Sequence, residues 1–420
     1  MNSSISAHSA STSQPRALVV GLGIGGFASA IRLSRIGWDV TIVERSRQRR
    51  RGGYFVALFR AGALPADRLG MRHLMHDRAS QTGGNWDIDR AGNKSPGLGY
   101  NGLTGGNDID KIGDLILRGD IENAGYDALP QNVTVRFATS PVSIEQDPDG
   151  VDVTLQERDS ESTTTERFEL VVGADGIHST VRRLAFGIEE KDVLVPTGYM
   201  IAACTLDSPV PGYKMQDSLI LSEINRSCWV FAFEDHNPTL LFSYKADDLA
   251  AEKQRNPIDS IKDAFAGKGG YGETLSWLID QFEQADEFLF DSADQVHMDS
   301  WHRGRVVLMG DAAWCLTLYS GMGASSAIAG SDALGTFLER NGNDVQRSLS
   351  QWENHMRPFI KKNMKSGMDM RSFFTVGNQK EATARKVRTK LMKSRLMEKF
   401  GTNLRKRTFA SKIQDIAAEA

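Results

Sequence analysis

The chain has 420 residues, of which 40% are hydrophobic and 25% charged, and its formal net charge is -3. This length favours two associated domains over a single core, and the near-neutral charge argues against nucleic acid as the main partner. Three isolated cysteines without CxxC spacing predict a reducing compartment, with neither a disulfide framework nor a metal site: Cys204, Cys228 and Cys315.

Residues 1–15 are rich in serine and lack the basic and apolar regions of a signal peptide. We expect this stretch to be a disordered tail. The sequence has no apolar run of the roughly 18 residues that a membrane span requires. We therefore expect a cytoplasmic protein without integral membrane contact, whose oligomeric state the sequence leaves open.

The next elements are an apolar strand over 17–20, a glycine turn, a helix and a second strand over 39–43 that ends at Glu44. The turn reads Gly21-Leu22-Gly23-Ile24-Gly25-Gly26. Glycines at the first, third and sixth positions permit a tight turn, close approach of a pyrophosphate, and packing of helix on strand. The helix N-terminus attracts phosphates, and Glu44 is placed to bind a ribose diol. These features predict a dinucleotide site; the alternative is a structural turn followed by a chance acid.

Two later segments have a similar order of strand, turn and helix. Residues 168–183 form an apolar strand, a turn at Gly173–Gly176 that contains Asp175, and a helix start. Residues 304–327 form a buried strand that ends at Gly310-Asp311, where a carboxylate can bind a sugar-chain hydroxyl. The glycines of the following loop and a helix of small residues predict close approach of backbone to a flat group, with N–H groups directed at it.

With Leu117-Arg118-Gly119-Asp120-Ile121, these motifs make the chain resemble the single-component (group A) FAD-dependent aromatic monooxygenases of the para-hydroxybenzoate hydroxylase type, over about residues 17 to 370. Arg51-Gly52-Gly53-Tyr54 and Gly310-Asp311-Ala312-Ala313 are similar to the branch of the tetracycline-inactivating flavin monooxygenases. The resemblance implies an α/β fold. It consists of a discontinuous Rossmann-type FAD-binding domain, a substrate domain built on a mostly antiparallel β-sheet, and C-terminal helices.

The resemblance also implies domain boundaries. We expect the FAD-binding domain over 16–75, 110–185 and 291–370, the substrate domain over 76–109 and 186–290, and a C-terminal helical segment over 371–420. Within the second part of the FAD-binding domain, the alternating pattern predicts a hairpin between 133–137 and 142–146.

FAD is the cofactor that the resemblance implies. The residues expected to bind it lie in the turns and helix starts of the motifs: Gly21, Gly23, Ile24, Gly25, Gly26, Glu44, Arg45, Arg51, Gly52, Gly53, Arg118, Asp175, Gly310, Asp311, Gly321, Gly323 and Ala324. NAD(P)H is the expected reductant, and no second complete fingerprint is present for it, as in the family. The basic run from Arg45 to Arg51 weakly favours NADPH, with a solvated charge cluster as the alternative.

The implied activity is insertion of one oxygen atom from O2, via a flavin C4a-hydroperoxide, into a small aromatic, polycyclic or enolic substrate. This occurs by hydroxylation or by insertion beside a carbonyl. Tyr54, Phe55 and the strand 228–233 are candidate walls of a dry pocket, with ordinary core packing as the alternative. No catalytic residue stands out, because the histidines lie singly among polar residues.

Two departures from the family keep alternatives open. Relatives commonly have prolines where this chain has Leu316, Thr317 and Leu318, and often an aspartate where it has Ala57. A non-catalytic or weakly coupled flavoprotein that sequesters a ligand is therefore one alternative. A flavin-dependent halogenase, an enzyme class on the same fold, is a separate alternative, although no tryptophan lies in the Trp-x-Trp-x-x-Ile-Pro stretch that such enzymes carry.

The last part of the chain is strongly basic over 380–407, with a partial apolar stripe. One interpretation is a helix on an anionic membrane or nucleic acid. The other is a helix that braces the two domains and exposes a solvated basic face.

Overall fold

The computed structural model describes residues 14–49, 54–80, 82–97, 112–158, 160, 162–267, 270–392 and 410–420. The strands within these ranges are β1 (Arg16–Val20), β2 (Asp39–Val43), β3 (Phe55–Phe59), β4 (Asn85–Ile88), β5 (Lys94–Pro96), β6 (Gly113–Leu117), β7 (Thr134–Arg136), β8 (Thr139–Gln146), β9 (Val151–Glu157), β10 (Thr163–Phe168), β11 (Leu170–Gly173), β12 (Leu194–Val195), β13 (Tyr199–Thr205), β14 (Ser218–Glu223), β15 (Arg226–Phe231), β16 (Thr239–Lys245), β17 (Phe288–Ser292), β18 (Gln295–Val296), β19 (His302–Arg303) and β20 (Val306–Leu308).

The α-helices within the same ranges are α1 (Ile24–Arg35), α2 (Arg60–Arg68), α3 (Arg118–Asp127), α4 (Thr180–Phe186), α5 (Glu190–Val193), α6 (Leu249–Gln254), α7 (Pro257–Phe265), α8 (Glu273–Gln284), α9 (Asp311–Trp314), α10 (Gly323–Arg340), α11 (Val345–Phe374), α12 (Gln379–Met392) and α13 (Ala410–Ile413). Short 3₁₀ turns lie at Arg72–Leu74 and Leu318–Ser320.

One of the two main sheets, called the central sheet below, has six strands in the order β7-β2-β1-β11-β20-β19. Its strands are parallel except for the antiparallel pair of β19 and β20. Strands β1, β2, β11 and β20 are runs of buried valine, leucine and isoleucine, as expected for a parallel sheet covered on both faces. The fold is the predicted α/β architecture.

The register places the carboxyl ends of the central strands side by side. Val20 pairs with Val43 on one side and with Gly173 on the other, and Gly173 pairs with Leu308. The turns that follow these four positions therefore meet at one edge of the sheet. In open α/β sheets this edge is where ligands bind.

The predicted hairpin between 133–137 and 142–146 is wrong. Strand β7 instead pairs in parallel with β2 and becomes the edge of the central sheet. Strand β8 pairs with β9, and β9 with β10, in a separate three-stranded antiparallel sheet. Pairing with β2 places Val135 beside the buried Ile42, a contact that local alternation cannot show.

A second sheet, called the large sheet below, has seven strands in the order β17-β13-β16-β15-β14-β4-β5. All of its neighbours are antiparallel except β14 and β4, so the predicted mostly antiparallel sheet is confirmed. One face packs on α7 and α8 through a cluster that includes Met200, Phe242 and Phe265. The other face carries Ile201, Leu241 and further residues that belong to the main core with the central sheet. The domain boundaries stay a prediction.

Helix α10 is buried on nearly every side and packs against α1, α2 and α11. Small residues at the helix contacts make this close packing possible. A Cβ on Gly62 would lie 2.4 Å from the Cα of Ser325, and the hydroxyls of Ser29 and Ser331 bond at 2.9 Å between α1 and α10. Close packing thus fixes the N-terminus of α10 beside the edge of the central sheet.

Helix α12 covers the described part of the basic stretch. Arg385 lies over the rings of Trp229 and Phe373, and its guanidinium is 3.7 Å from the Asp87 carboxylate. These contacts join α12 to the large sheet and to α11, which favours the bracing interpretation. Val387, part of the predicted apolar stripe, is exposed, and residues 393–409 lie outside the described ranges. None of the helices in the described ranges combines the length and apolar character that crossing a membrane requires.

Candidate functional site

The glycine turn after β1 is built from three glycines with three different constraints. Gly21 has φ +101°, which a side chain would strain. A Cβ on Gly26 would lie 2.0 Å from the Gly21 carbonyl oxygen, so only glycine lets α1 approach the strand this closely. A Cβ on Gly23 would meet nothing within 4 Å, because this residue lines a cavity beside the glycine turn.

Glu44 follows β2 at the same edge. Its Oε2 accepts a hydrogen bond from the backbone N–H of Leu22 at 2.9 Å, and its Oε1 accepts one from that of Ser46 at 2.8 Å. The carboxylate is therefore fixed beside the glycine turn, and its contact with a ribose stays a prediction. Arg45 is exposed to solvent. Arg51, Gly52 and Gly53 lie outside the described residues.

The turn after β11 contributes Ala174, Gly176 and Ile177 to the cavity. The Asp175 carboxylate instead holds the start of α4, accepting from the Ser179 hydroxyl at 2.6 Å and from the backbone N–H of Thr180 at 2.7 Å. Burial raises the pKa of Asp175, and these hydrogen bonds oppose the rise. Its side chain shapes the turn, and a direct contact with cofactor stays a prediction.

Arg182 is a structural residue of the site that the sequence interpretation did not assign. It is almost fully buried, and its guanidinium donates to the carbonyl of Ala312 at 2.9 Å and to that of Ile177 at 2.6 Å. The two turns that follow β11 and β20 are thereby tied together. An arginine at the third position of a helix after an Asp-Gly turn is the signal that could have indicated this role.

Asp311 and Arg118 are far apart in the sequence but line the same cavity. Burial raises the pKa of the Asp311 carboxyl, and the Arg118 charge opposes that rise. Arg118 is positioned by its backbone N–H, which donates to the Tyr54 carbonyl at 3.1 Å, and by its Nε, which donates to Glu122 at 3.0 Å. Burial also raises the pKa of Tyr54. A carboxyl group and a guanidinium that influence each other electrostatically thus both line the cavity.

The N-terminus of α10 forms the next wall. Gly321, Gly323 and Ala324 line the cavity, and the hydrogen bonds of the helix begin with the N–H of Ser326 donating to Met322. The N–H groups of the first turn have no partner within the helix, and the helix dipole makes this end positive.

The remaining walls are mostly apolar. Ile201, Leu241 and Leu289 project from three adjacent strands of the large sheet, facing Phe374 at the end of α11 and Phe55 on β3. From the strand predicted to form a wall, Phe231 stacks on Phe55 with ring centroids 3.8 Å apart, and Trp229 lies against Phe374. These two aromatics support the wall from behind. Whether they contact substrate stays a prediction.

The loop 316–318, where relatives commonly have prolines, also lines the cavity. Thr317 has φ +63°, a value that a proline ring cannot adopt. The path of the backbone here therefore excludes proline at position 317. Ala57 lies in the cavity wall as well, so its small side chain leaves space there.

One cavity is thus lined by most of the predicted cofactor residues in the described ranges: Gly23, Ile24, Gly25, Arg118, Gly310, Asp311, Gly321, Gly323 and Ala324. Gly21 and Gly26 form the turn that carries Gly23. In the described part of the chain, no group of three or more histidine, cysteine or acidic residues is arranged to hold a metal ion. A glycine turn, a helix N-terminus, a carboxyl group and a guanidinium that all line one cavity fit a dinucleotide that carries a ring system.

Residues 124–366 match the family model described as an FAD binding domain. The chain belongs to this FAD-binding family. It is similar to an uncharacterized protein of Mycobacterium tuberculosis, with 30% identity over 360 residues, 82% of this chain and 91% of that protein. It is also similar to the FAD-dependent monooxygenase asL4 of Sarocladium schorii, with 29% identity over 330 residues, 76% of this chain and 75% of that protein.

Among solved structures, tetracycline destructase Tet(51) has the same fold. The TM-score is 0.71 at 24% identity, over 91% of this chain and 97% of that chain. The predicted group A resemblance is confirmed, and the protein is an FAD-dependent monooxygenase. The halogenase alternative is not favoured, because the matched enzymes are named as monooxygenases.

Proposed function

We propose that FAD extends along the cavity from the glycine turn to the N-terminus of α10. With NAD(P)H and O2, the protein would insert one oxygen atom into a small aromatic, polycyclic or enolic substrate. The observation that carries this proposal is the convergence of separate motif-bearing turns, those at 21–26, 174–177, 310–311 and 321–324, on one cavity. Parallel strand ends and a helix N-terminus are the usual supports of such cofactors.

Different groups of residues would hold three different parts of FAD. The turn at 21–26 and Glu44 would hold the adenosine and pyrophosphate. Asp311 and Arg118 would hold the ribityl chain, and Gly321 to Ala324 would hold the ring system. The bound flavin would supply the oxygen chemistry expected from the sequence, through a C4a-hydroperoxide. The protein would supply orientation and an electrostatic environment.

The substrate would lie against the face of the large sheet that carries Ile201, Leu241 and Leu289. These side chains, with Phe374, form an apolar surface that favours a ring system over a charged or highly polar molecule. Such walls also exclude water, which protects reactive oxygen intermediates from side reactions. Tyr319 contributes polarity, but its hydroxyl is already within 2.8 Å of that of Ser243.

NADPH is the reductant that we favour. Arg45 and Arg47 are exposed at the edge of the sheet near Glu44, where they can attract a 2′-phosphate. A complete fingerprint for a second nucleotide is absent from the sequence, so we infer that the reductant reaches the flavin from the open side of the cavity.

The test is NADPH consumption by purified, FAD-loaded protein against a panel of phenols, enols and polycyclic ketones, with ¹⁸O₂ as the oxygen source. The proposal predicts that at least one compound stimulates consumption and gains one labelled oxygen atom. Stoichiometric hydrogen peroxide without labelled product across the panel would favour the weakly coupled flavoprotein instead. The unusual conformation of Thr317 in the cavity wall is the observation that keeps this second candidate.

A further inference from the structure

The C-terminal segment 410–420 places a buried lysine in the wall of the cofactor cavity. Lys412, on α13, is 6% exposed and lines the cavity. Its Nζ donates to the carbonyl oxygen of Ser320 at 2.9 Å and lies 4.1 Å from the centroid of the Phe59 ring. The lysine comes from a part of the chain that carries none of the cofactor motifs.

The segment is held on both sides of Lys412. The Asp415 carboxylate accepts two hydrogen bonds from the Arg68 guanidinium, at 2.7 and 2.9 Å. The Ser411 hydroxyl donates to Asn363 at 3.0 Å in a buried position, and His355 lies 2.7 Å from the Ile416 carbonyl oxygen. The position of the ammonium group is therefore fixed by contacts with α2 and α11.

The location of Lys412 coincides with the positive end of α10. Its acceptor, Ser320, immediately precedes Gly321, and Gly321, Gly323 and Ala324 line the same part of the cavity. The helix dipole and the lysine thus both place positive charge beside the cavity wall that Ser320 and Gly321 form. Burial lowers the pKa of Lys412 to about 8, so the amine is mostly protonated at neutral pH. Positive charge from the helix N-terminus and from the lysine favours an anionic ligand beside them.

We propose that Lys412 is a positioning residue for the flavin ring, which it holds at the N-terminus of α10 and whose anionic reduced form it stabilises. The inference rests on the proposed function, because it requires FAD in the cavity. A flavin gains negative charge on reduction, and a fixed cation beside the ring lowers the free energy of that state. The C-terminal segment would then be part of the cofactor site.

The test compares Lys412→Met with two controls. Lys412→Arg keeps the charge, and Lys362→Met removes a charge from an exposed position on α11. Sulfite adds through its sulfur lone pair to N5 of oxidised flavin and leaves negative charge on the ring, so its affinity reports the local field. We expect K412M to bind sulfite about tenfold more weakly or worse. We also expect a lower reduction potential, by about 30 mV for each tenfold change in a two-electron equilibrium.

Lys412→Arg should stay within about threefold of the wild-type sulfite affinity, and K362M should match the wild type. If K412M folds but loses FAD, Lys412→Gln replaces it, because glutamine can still donate to the Ser320 carbonyl. Wild-type sulfite affinity and potential in K412M, or in K412Q where it replaces K412M, would overturn the inference while leaving the proposed function intact. A wild-type protein that binds no FAD would instead overturn the proposed function.

Discussion

The carbonyl oxygen of Gly21 occupies the place where a side chain on Gly26 would begin, since a Cβ there would lie 2.0 Å from that oxygen. Gly26→Ala should therefore destabilise the protein itself, by about 1–3 kcal/mol or more, because α1 must move away from the strand. Thermal or urea unfolding of the FAD-free protein measures this.

Gly23→Ala is the matched control for that change. The added methyl group meets no protein atom within 4 Å and enters the cavity instead. We expect the free energy of unfolding of the FAD-free protein to change by about 1 kcal/mol or less, the cost of alanine at a helix N-cap. FAD binding, measured by fluorescence titration, should weaken at least tenfold. Equal losses of stability in the two variants would contradict this assignment of the glycines.

Arg118→Met removes the positive charge that lowers the pKa of Asp311 in the cavity. We expect FAD to bind about 10- to 100-fold more weakly, the usual effect of losing a hydrogen bond to a charged group. The pKa of Asp311, already raised by burial, should rise further without Arg118. Glu122→Gln is the control, because it removes the ion pair of Arg118 but leaves its charge. Unchanged FAD affinity in R118M would show that Arg118 does not contact the cofactor.

Thr317→Pro should disrupt the cavity loop, although prolines are common near this position in relatives. The proline ring requires φ near about -65°, whereas the backbone at Thr317 has φ +63°. Thr317→Gly should be tolerated or stabilising by up to about 1 kcal/mol, because glycine adopts positive φ without strain. Thermal unfolding of both variants measures the difference, and a T317P protein as stable as T317G would contradict it.

The pH dependence of the unfolding temperature tests the ion pairs of His178. Its Nδ1 lies 2.6 Å from Glu190 and its Nε2 lies 3.8 Å from Asp291, and these carboxylates raise the pKa of His178 above its usual 6.5. A raised pKa in the folded protein means that protonated His178 stabilises it fully below pH 6.5. This contribution is lost as pH rises through the raised value. Wild type should therefore exceed His178→Gln in unfolding temperature by more at pH 6 than at pH 9. A difference independent of pH would contradict the ion pairs.

The α/β fold and the FAD-binding family could be predicted from the sequence because the turns after the central strands carry local constraints. Gly21 and Gly310 have positive φ, and Gly26 packs against the carbonyl of Gly21 five positions earlier, so these glycines form a local pattern that is visible in the chain. The central parallel strands β1, β2, β11 and β20 were visible for a similar reason, as short apolar runs that end at turns.

Other features depend on residues far apart in the chain and could not be predicted locally. Strand β7 joins the central sheet through β2, about 90 residues earlier, which is why the hairpin prediction failed. Lys412 reaches Ser320 across 92 positions. Trp314 packs against Trp301 with ring centroids 4.6 Å apart, and its indole N–H donates to the Ser326 hydroxyl at 3.1 Å. In each case the partner is supplied by tertiary packing, and a local motif gives no signal of it.

The central claim is that one cavity holds FAD from the glycine turn to α10, and it is tested most directly by the flavin content of the purified protein. After incubation with excess FAD and removal of unbound cofactor, the account predicts a yellow protein with one FAD per chain by visible absorbance. A folded protein that retains no flavin under these conditions would contradict it.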